Sequence, residues 1–113
     1  MIRLSAEERG YAGPAATVAD RLREHAAADP DRLALIFLDD GETESARFTY
    51  GALDRRIRAL AAALQARGAA GERVLLLHPP GPEFVTSFYA CLYAGAVAVP
   101  SPPPMANRAF PRV

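Results

Sequence analysis

Lysine and tryptophan are absent from this chain of 113 residues, cysteine occurs once, and neither sign of charge is in excess. All thirteen basic residues are arginine, and thirteen acidic residues balance them. A neutral surface has no long-range field that would attract nucleic acid or an anionic membrane. We therefore expect neither of them as a partner.

The single cysteine and the short apolar segments exclude further classes of protein. Cys91 has no partner for an internal disulfide, and its apolar and aromatic neighbours favour burial over a reactive thiol. Residues 1–10 lack the apolar centre of a signal peptide, and no apolar run approaches the roughly 20 residues that span a bilayer. These absences predict a cytoplasmic protein without a membrane span.

What is present is enough for one modest core. Half of the residues are hydrophobic and 23% are charged, which is typical of a globular chain. We expect residues 1–16 to be flexible, residues 17–100 to form a partial α/β subdomain, and residues 101–113 to be an extended, Pro-rich tail that leads to missing sequence. Residues 100–111 hold five of the ten prolines.

A helix followed by a hairpin is predicted for the first half of this subdomain. Thr17 and Asp20 have the spacing of a capping box, and Val18, Leu22 and Ala26 would share one face of the helix. The apolar run 33–38, the turn residues 39–42 and the segment 45–48 then favour a β-hairpin, with its polar second strand at a sheet edge.

The clearest amphipathic helix begins after Thr49 and ends at Gly68. Apolar residues recur at spacings of three and four: Tyr50, Leu53, Ile57, Leu60, Ala61 and Leu64. The other face carries Asp54, Arg55, Arg56, Arg58, Gln65 and Arg67. That face is either a basic patch or a solvated surface, and the nearby acids favour the solvated surface.

The last predicted unit is a strand, a helix and a parallel strand. Residues 73–78 predict a strand buried on both faces, Pro82 a helix start, Gly95 its end, and residues 96–99 a second strand. A crossover of this kind is right-handed. We expect its helix to be largely buried.

Residues that could carry chemistry are few. The loop from His78 to Glu83 lies where nucleotide loops often lie, but its three prolines remove amide donors, which favours a rigid turn. His25 and His78 lack partner motifs, and the pairs Glu7-Glu8 and Asp39-Asp40 read as solvated carboxylates. We therefore predict no catalytic, cofactor-binding or metal-binding residue.

Four segments in register resemble the opening third of the large N-terminal domain of adenylate-forming enzymes. They are residues 48–54 (FTYGALD), 71–77 (GERVLLL), 82–84 (PEF) and 94–100 (AGAVAVP). Residues 38–42 (LDDGE), 79–84 (PPGPEF) and 102–104 (PPP) are most similar to fatty acyl-AMP ligases in particular. The resemblance extends from about Thr17 to Val113.

The resemblance implies an α/β fold and a parent enzyme that activates a fatty acid with ATP and Mg²⁺. Such an enzyme passes the acyl-adenylate to an acyl carrier protein. The family's phosphate loop, ribose-binding aspartate and catalytic lysine have no counterpart here, so whether this chain is itself an enzyme stays open.

Three hypotheses follow for the function. The first is an N-terminal scaffold fragment without stand-alone activity, whose partner is the rest of the adenylation domain. The second is an interaction module that associates through exposed sheet edges with itself or with a complementary fragment. The third is a small binding protein that holds a nucleotide near Gly81.

Overall fold

The computed structural model describes residues 17–104. Residues 1–16, predicted to be flexible, and residues 105–113 of the predicted tail lie outside the described residues. The elements follow one another as a helix, a hairpin, a helix and a strand-helix-strand unit: α1 (Val18–Ala28), β1 (Leu33–Leu38), β2 (Glu44–Thr49), α2 (Tyr50–Ala66), β3 (Arg73–Leu76), α3 (Pro82–Ala94) and β4 (Val97–Pro100). The predicted α/β class is confirmed.

Helix α1 begins at the predicted capping box. The Asp20 amide donates to Thr17 Oγ1 at 3.1 Å, and the Thr17 amide donates to Asp20 Oδ2 at 3.0 Å. The predicted apolar face is confirmed at Leu22, which is buried, and wrong at Val18, which is 61% exposed, whereas the adjacent Ala19 is buried.

The hairpin of β1 and β2 is antiparallel, as predicted. Asp40 closes its turn, since Oδ1 accepts the amides of Glu42 at 2.8 Å and Thr43 at 2.6 Å. These hydrogen bonds to the ionised form lower the pKa of Asp40 to about 2. The Asp39-Asp40 pair therefore includes a turn-forming carboxylate.

The core lies where the three helices meet. Thr49 Oγ1 caps α2 by accepting the Ala52 amide at 3.2 Å, and the apolar face of α2 then packs against α1 and α3. Ile57 is completely buried at the centre of this cluster. The other buried members are Leu22, Leu53, Ala61, Ala90 and Ala94.

The strand-helix-strand unit has parallel strands, with β3 paired to β4 in register. Helix α3 begins at Pro82 and ends at Gly95, whose φ of 75° is a left-handed conformation that glycine adopts without strain. A second apolar cluster of Leu76, Cys91 and Ala96 joins the strands to this helix.

The prediction that the first strand of this unit is buried on both faces is wrong for the described residues. Leu75 on β3 is 58% exposed and Val97 on β4 is 52% exposed. Alternate residues of a strand point to opposite faces, and α2 and α3 cover only the face that carries Val74 and Leu76. The strand also ends at Leu76 rather than at residue 78, because its partner β4 ends at Pro100.

Candidate functional site

The carboxyl ends of β3 and β4 meet the start of α3, the position at which open α/β sheets commonly bind ligands. A cleft of about 260 Å³ lies there, and we call it the carboxyl-edge cleft. Its lining is mostly apolar and consists of His78, Pro80, Phe84, Ser101, Pro102 and Pro103. Within residues 17–104 the lining offers apolar contact and one imidazole, and it includes no arginine.

The backbone beside this cleft is poorly suited to phosphate. Gly81 precedes α3 without a side-chain capping bond, and Pro82 at the first helical position has no amide hydrogen. The Val85 amide already donates to Gly81 O at 3.3 Å. The loop from His78 to Glu83 is thus a turn with few free donors, in contrast to a glycine-rich phosphate loop.

The other sequence candidates are dispersed over the molecule. The His25 ring packs against the Tyr50 ring at 5.0 Å between centroids, while His78 lies at the rim of the carboxyl-edge cleft. Cys91 is completely buried, and burial raises the pKa of its thiol. The Glu7-Glu8 pair lies outside the described residues. Within residues 17–104, no three side chains of His, Cys, Asp or Glu are grouped so that they could hold a metal ion.

The structure also shows a cluster that sequence reasoning missed. Asp54, placed on the solvated face of α2, accepts the Tyr93 hydroxyl of α3 at 2.8 Å and Arg58 Nε at 2.7 Å. The guanidinium carbon of Arg23 lies 4.0 Å from the centroid of the Tyr93 ring, so α1 also contributes. We call these four residues the Tyr93 cluster.

The Tyr93 cluster connects α1, α2 and α3 through hydrogen bonds and a cation–π contact. Burial raises the pKa of Tyr93, and the hydrogen bond to the Asp54 carboxylate raises it further. Asp54 is only 13% exposed in its side chain, and both of its carboxylate oxygens have partners. The remaining polar residues of this helix face are exposed, as the solvated interpretation predicted.

The variant Tyr93→Phe is expected to lower the free energy of unfolding by about 1 to 2 kcal/mol at pH 7, because it removes a hydrogen bond to a carboxylate. The pKa of Tyr93 is higher in the folded chain than its unfolded value of 10.0. Its neutral hydroxyl therefore contributes fully to stability below pH 10, and this contribution is lost as the pH rises above that value. Urea unfolding of both chains at pH 7 and pH 11 should therefore show a smaller difference at pH 11. If the two chains differ in free energy of unfolding by the same amount at both pH values, the raised pKa of Tyr93 would be contradicted.

No helix among residues 17–104 is both long and apolar enough to cross a membrane.

Most of the chain matches one known protein family. The sequence pattern of a family described as AMP-binding enzyme matches residues 22–110, which is more than half of the chain.

Individual relatives agree with this match. The medium-chain-fatty-acid–acyl-carrier-protein ligase JamA of Moorena producens is 41% identical over 100 residues, which cover 86% of this chain and 17% of the relative. The putative fatty-acid–CoA ligase fadD25 of Mycobacterium tuberculosis is 44% identical over 84 residues, which cover 70% of this chain and 14% of the relative.

The fold is similar to solved structures of the same kind. A fatty acyl-adenylate ligase from Legionella pneumophila, solved with acyl adenylate and pyrophosphate, superimposes with a TM-score of 0.70 at 45% identity. The match covers 76% of this chain and 15% of that ligase. The chain therefore spans about a sixth of the length of each of these three proteins.

Proposed function

The chain belongs to the family of AMP-binding enzymes, and we propose that it forms the N-terminal scaffold of a fatty acyl-AMP ligase. The parent enzyme would activate a fatty acid with ATP and transfer the acyl group to an acyl carrier protein in the cytoplasm. Relatives named as fatty-acid ligases, one of them as an acyl-carrier-protein ligase, support this proposal. The chain by itself would have no ligase activity.

The observation that carries the proposal is the uncovered face of the β3–β4 sheet. Parallel sheets are normally covered on both faces, yet Leu75 and Val97 are more than half exposed here. Burial of these two side chains by further structure would stabilise the sheet through the hydrophobic effect. A sheet with only one of its two faces covered is suited to be part of a larger domain.

ATP and Mg²⁺ do not fit the groups that the described residues supply. Among the described residues, the lining of the carboxyl-edge cleft includes no arginine, and no cluster of acidic side chains could hold a metal ion. We assign both ligands to the remainder of the parent enzyme. The role of this chain would be to hold the elements against which that remainder packs.

Two measurements test the scaffold proposal. The isolated chain, assayed for ATP–pyrophosphate exchange with octanoic or dodecanoic acid, should give only the background rate. The Legionella ligase, assayed in parallel, provides the active control. Clear exchange by the isolated chain would overturn the proposed inactivity.

A chimera tests the positive half of the proposal. Residues 17–100 of this chain, exchanged for the corresponding segment of the Legionella ligase, should leave the exchange reaction within about tenfold of the parental rate. The matched control is a ligase from which the same segment is deleted, which should be inactive. A chimera that folds but has no activity would contradict the scaffold role.

The interaction-module hypothesis has its own support in the open sheet edges. Each of the two sheets contains only two strands within residues 17–104, so every strand keeps one unpaired edge. Light scattering over a range of concentrations would show a mass that grows with concentration. A monomer at all concentrations would count against this second function.

A further inference from the structure

A second cleft, of about 210 Å³, lies between α2, β3 and α3, and we call it the interhelical cleft. Its walls are Leu60 and Leu64 of α2, Val74 and Leu76 of β3, and Ser87 and Cys91 of α3. Leu75, which is 58% exposed, and His78 complete its lining. Leucine, valine and thiol groups make most of this surface apolar.

One polar group in the interhelical cleft has no partner. Ser87 is only 8% exposed, and its hydroxyl makes no hydrogen bond with any described residue. The neighbouring Thr86 hydroxyl donates to Pro82 O at 3.0 Å. A position inside α3 therefore does not by itself keep a hydroxyl from bonding to the helix backbone. No side-chain oxygen of the described residues is both sealed from solvent and unbonded, so solvent reaches Ser87 Oγ, and Ser87 lines the cleft.

A hydroxyl that faces solvent in an apolar setting bonds to water, and a ligand hydroxyl can replace that water while its apolar part covers the walls of the cleft. The cleft volume sets the size of such a ligand. An apolar cavity of about 150 Å³ accepts benzene, so a space of about 210 Å³ accommodates an aliphatic chain of about eight carbons.

The charges around the cleft determine whether the polar group of such a ligand is neutral or charged. Among the described residues that line the interhelical cleft there is no arginine, and the ionisable ones are His78 and Cys91. A carboxylate there would lack a permanent counter-charge, which disfavours it relative to a neutral hydroxyl.

We propose that the interhelical cleft binds a medium-length primary alcohol, with the aliphatic chain between Leu60, Leu64 and Val74 and its hydroxyl group on Ser87 Oγ. This cleft is adjacent to the carboxyl-edge cleft, and His78 lines both of them. The proposal does not rest on the ligase function, because it uses only the cleft and its unbonded hydroxyl.

Titration of the ¹⁵N-labelled chain with octan-1-ol tests the proposal. Saturable shifts are expected at the amides of Val74, Ser87 and Cys91, and octanoate should bind at least threefold more weakly. Absence of saturable shifts up to the solubility limit of the alcohol would overturn the proposal. Tighter binding of octanoate, or shifts confined to the carboxyl-edge cleft, would also overturn it.

Two variants locate the alcohol. Ser87→Ala removes the hydroxyl and should weaken binding about fivefold to tenfold, the effect of one lost hydrogen bond. Ser45→Ala makes the same chemical change on the exposed strand β2 and should leave the affinity unchanged.

Ser87→Leu fills the cleft and should abolish binding, while the chain remains folded. Unchanged affinity in both Ser87 variants would overturn the assigned site. If Ser87→Leu does not fold, the comparison of Ser87→Ala with Ser45→Ala decides the question.

Discussion

Replacement of Ile57 by alanine should lower the free energy of unfolding by about 3 kcal/mol. Ile57 is completely buried where α2 meets α1 and α3, in a cluster that includes the buried alanines Ala61, Ala90 and Ala94. Alanine side chains cannot extend into the space that the substitution leaves, so part of the cavity would persist. The cost includes the lost transfer free energy of three carbon atoms and the cavity itself.

This cost is large for a chain of this size. Domains of this length are stable by about 5 to 15 kcal/mol, and a chain with one uncovered sheet face should lie near the lower end. The variant is therefore expected to unfold at a clearly lower urea concentration, monitored by circular dichroism at 222 nm. Its slope with denaturant should stay the same, because the folded structure is retained.

Ile36→Ala is the matched control for this experiment. It removes the same atoms from a side chain that is 41% exposed on β1. Its cost should stay below about 1 kcal/mol, because little transfer free energy is lost and no closed cavity forms. Equal destabilisation by the two variants would mean that the core does not lie where α2 meets the other helices.

Local chemistry made most of the elements predictable. The Thr17–Asp20 capping box, the cap at Thr49 and the left-handed Gly95 each act within four residues, so a sequence pattern contains the whole interaction. The same reasoning predicted the hairpin turn, where Asp40 bonds to amides two and three residues further along. The resemblance to adenylate-forming enzymes then supplied the family.

The features that escaped prediction depend on distant neighbours. Asp54 reads as one more charge on a solvated face, and its partner Tyr93 stands 39 residues away. The one sequence feature that could have indicated this contact is the position of Asp54 next to the apolar face of α2. The exposure of Leu75 was missed for a related reason, since an apolar strand does not say which of its faces the described chain covers.

Gly51→Ala should destabilise the chain by about 2 kcal/mol, although alanine is the better helix former. Inside a helix the exchange of glycine for alanine usually stabilises by about 1 kcal/mol. Here a β-carbon would lie 2.9 Å from Pro30 Cβ and 3.0 Å from Pro30 O. Neither atom belongs to a flexible side chain, so the backbone itself must move.

That movement would also strain two hydrogen bonds. The Gly51 amide donates to Pro30 O at 2.9 Å, and the Tyr50 amide donates to Arg32 O at the same distance. Together they hold the start of α2 against the segment that links α1 to β1. Overpacking of a well-fitted contact costs about 1 to 3 kcal/mol, and with these bonds strained it outweighs the gain in helix propensity.

The matched control for Gly51 is Gly81→Ala, the same chemical change before the first turn of α3. A β-carbon at Gly81 would meet nothing closer than 3.6 Å, and the backbone there is extended. Its cost should therefore stay below about 1 kcal/mol, the value for alanine at a helix cap. Thermal unfolding of both variants measures the difference, and a Gly51→Ala chain as stable as Gly81→Ala would show that Pro30 yields to the new methyl group. The glycine of the motif FTYGALD would then be no requirement of packing, whereas the geometry makes it the point at which α2 docks on the chain before β1.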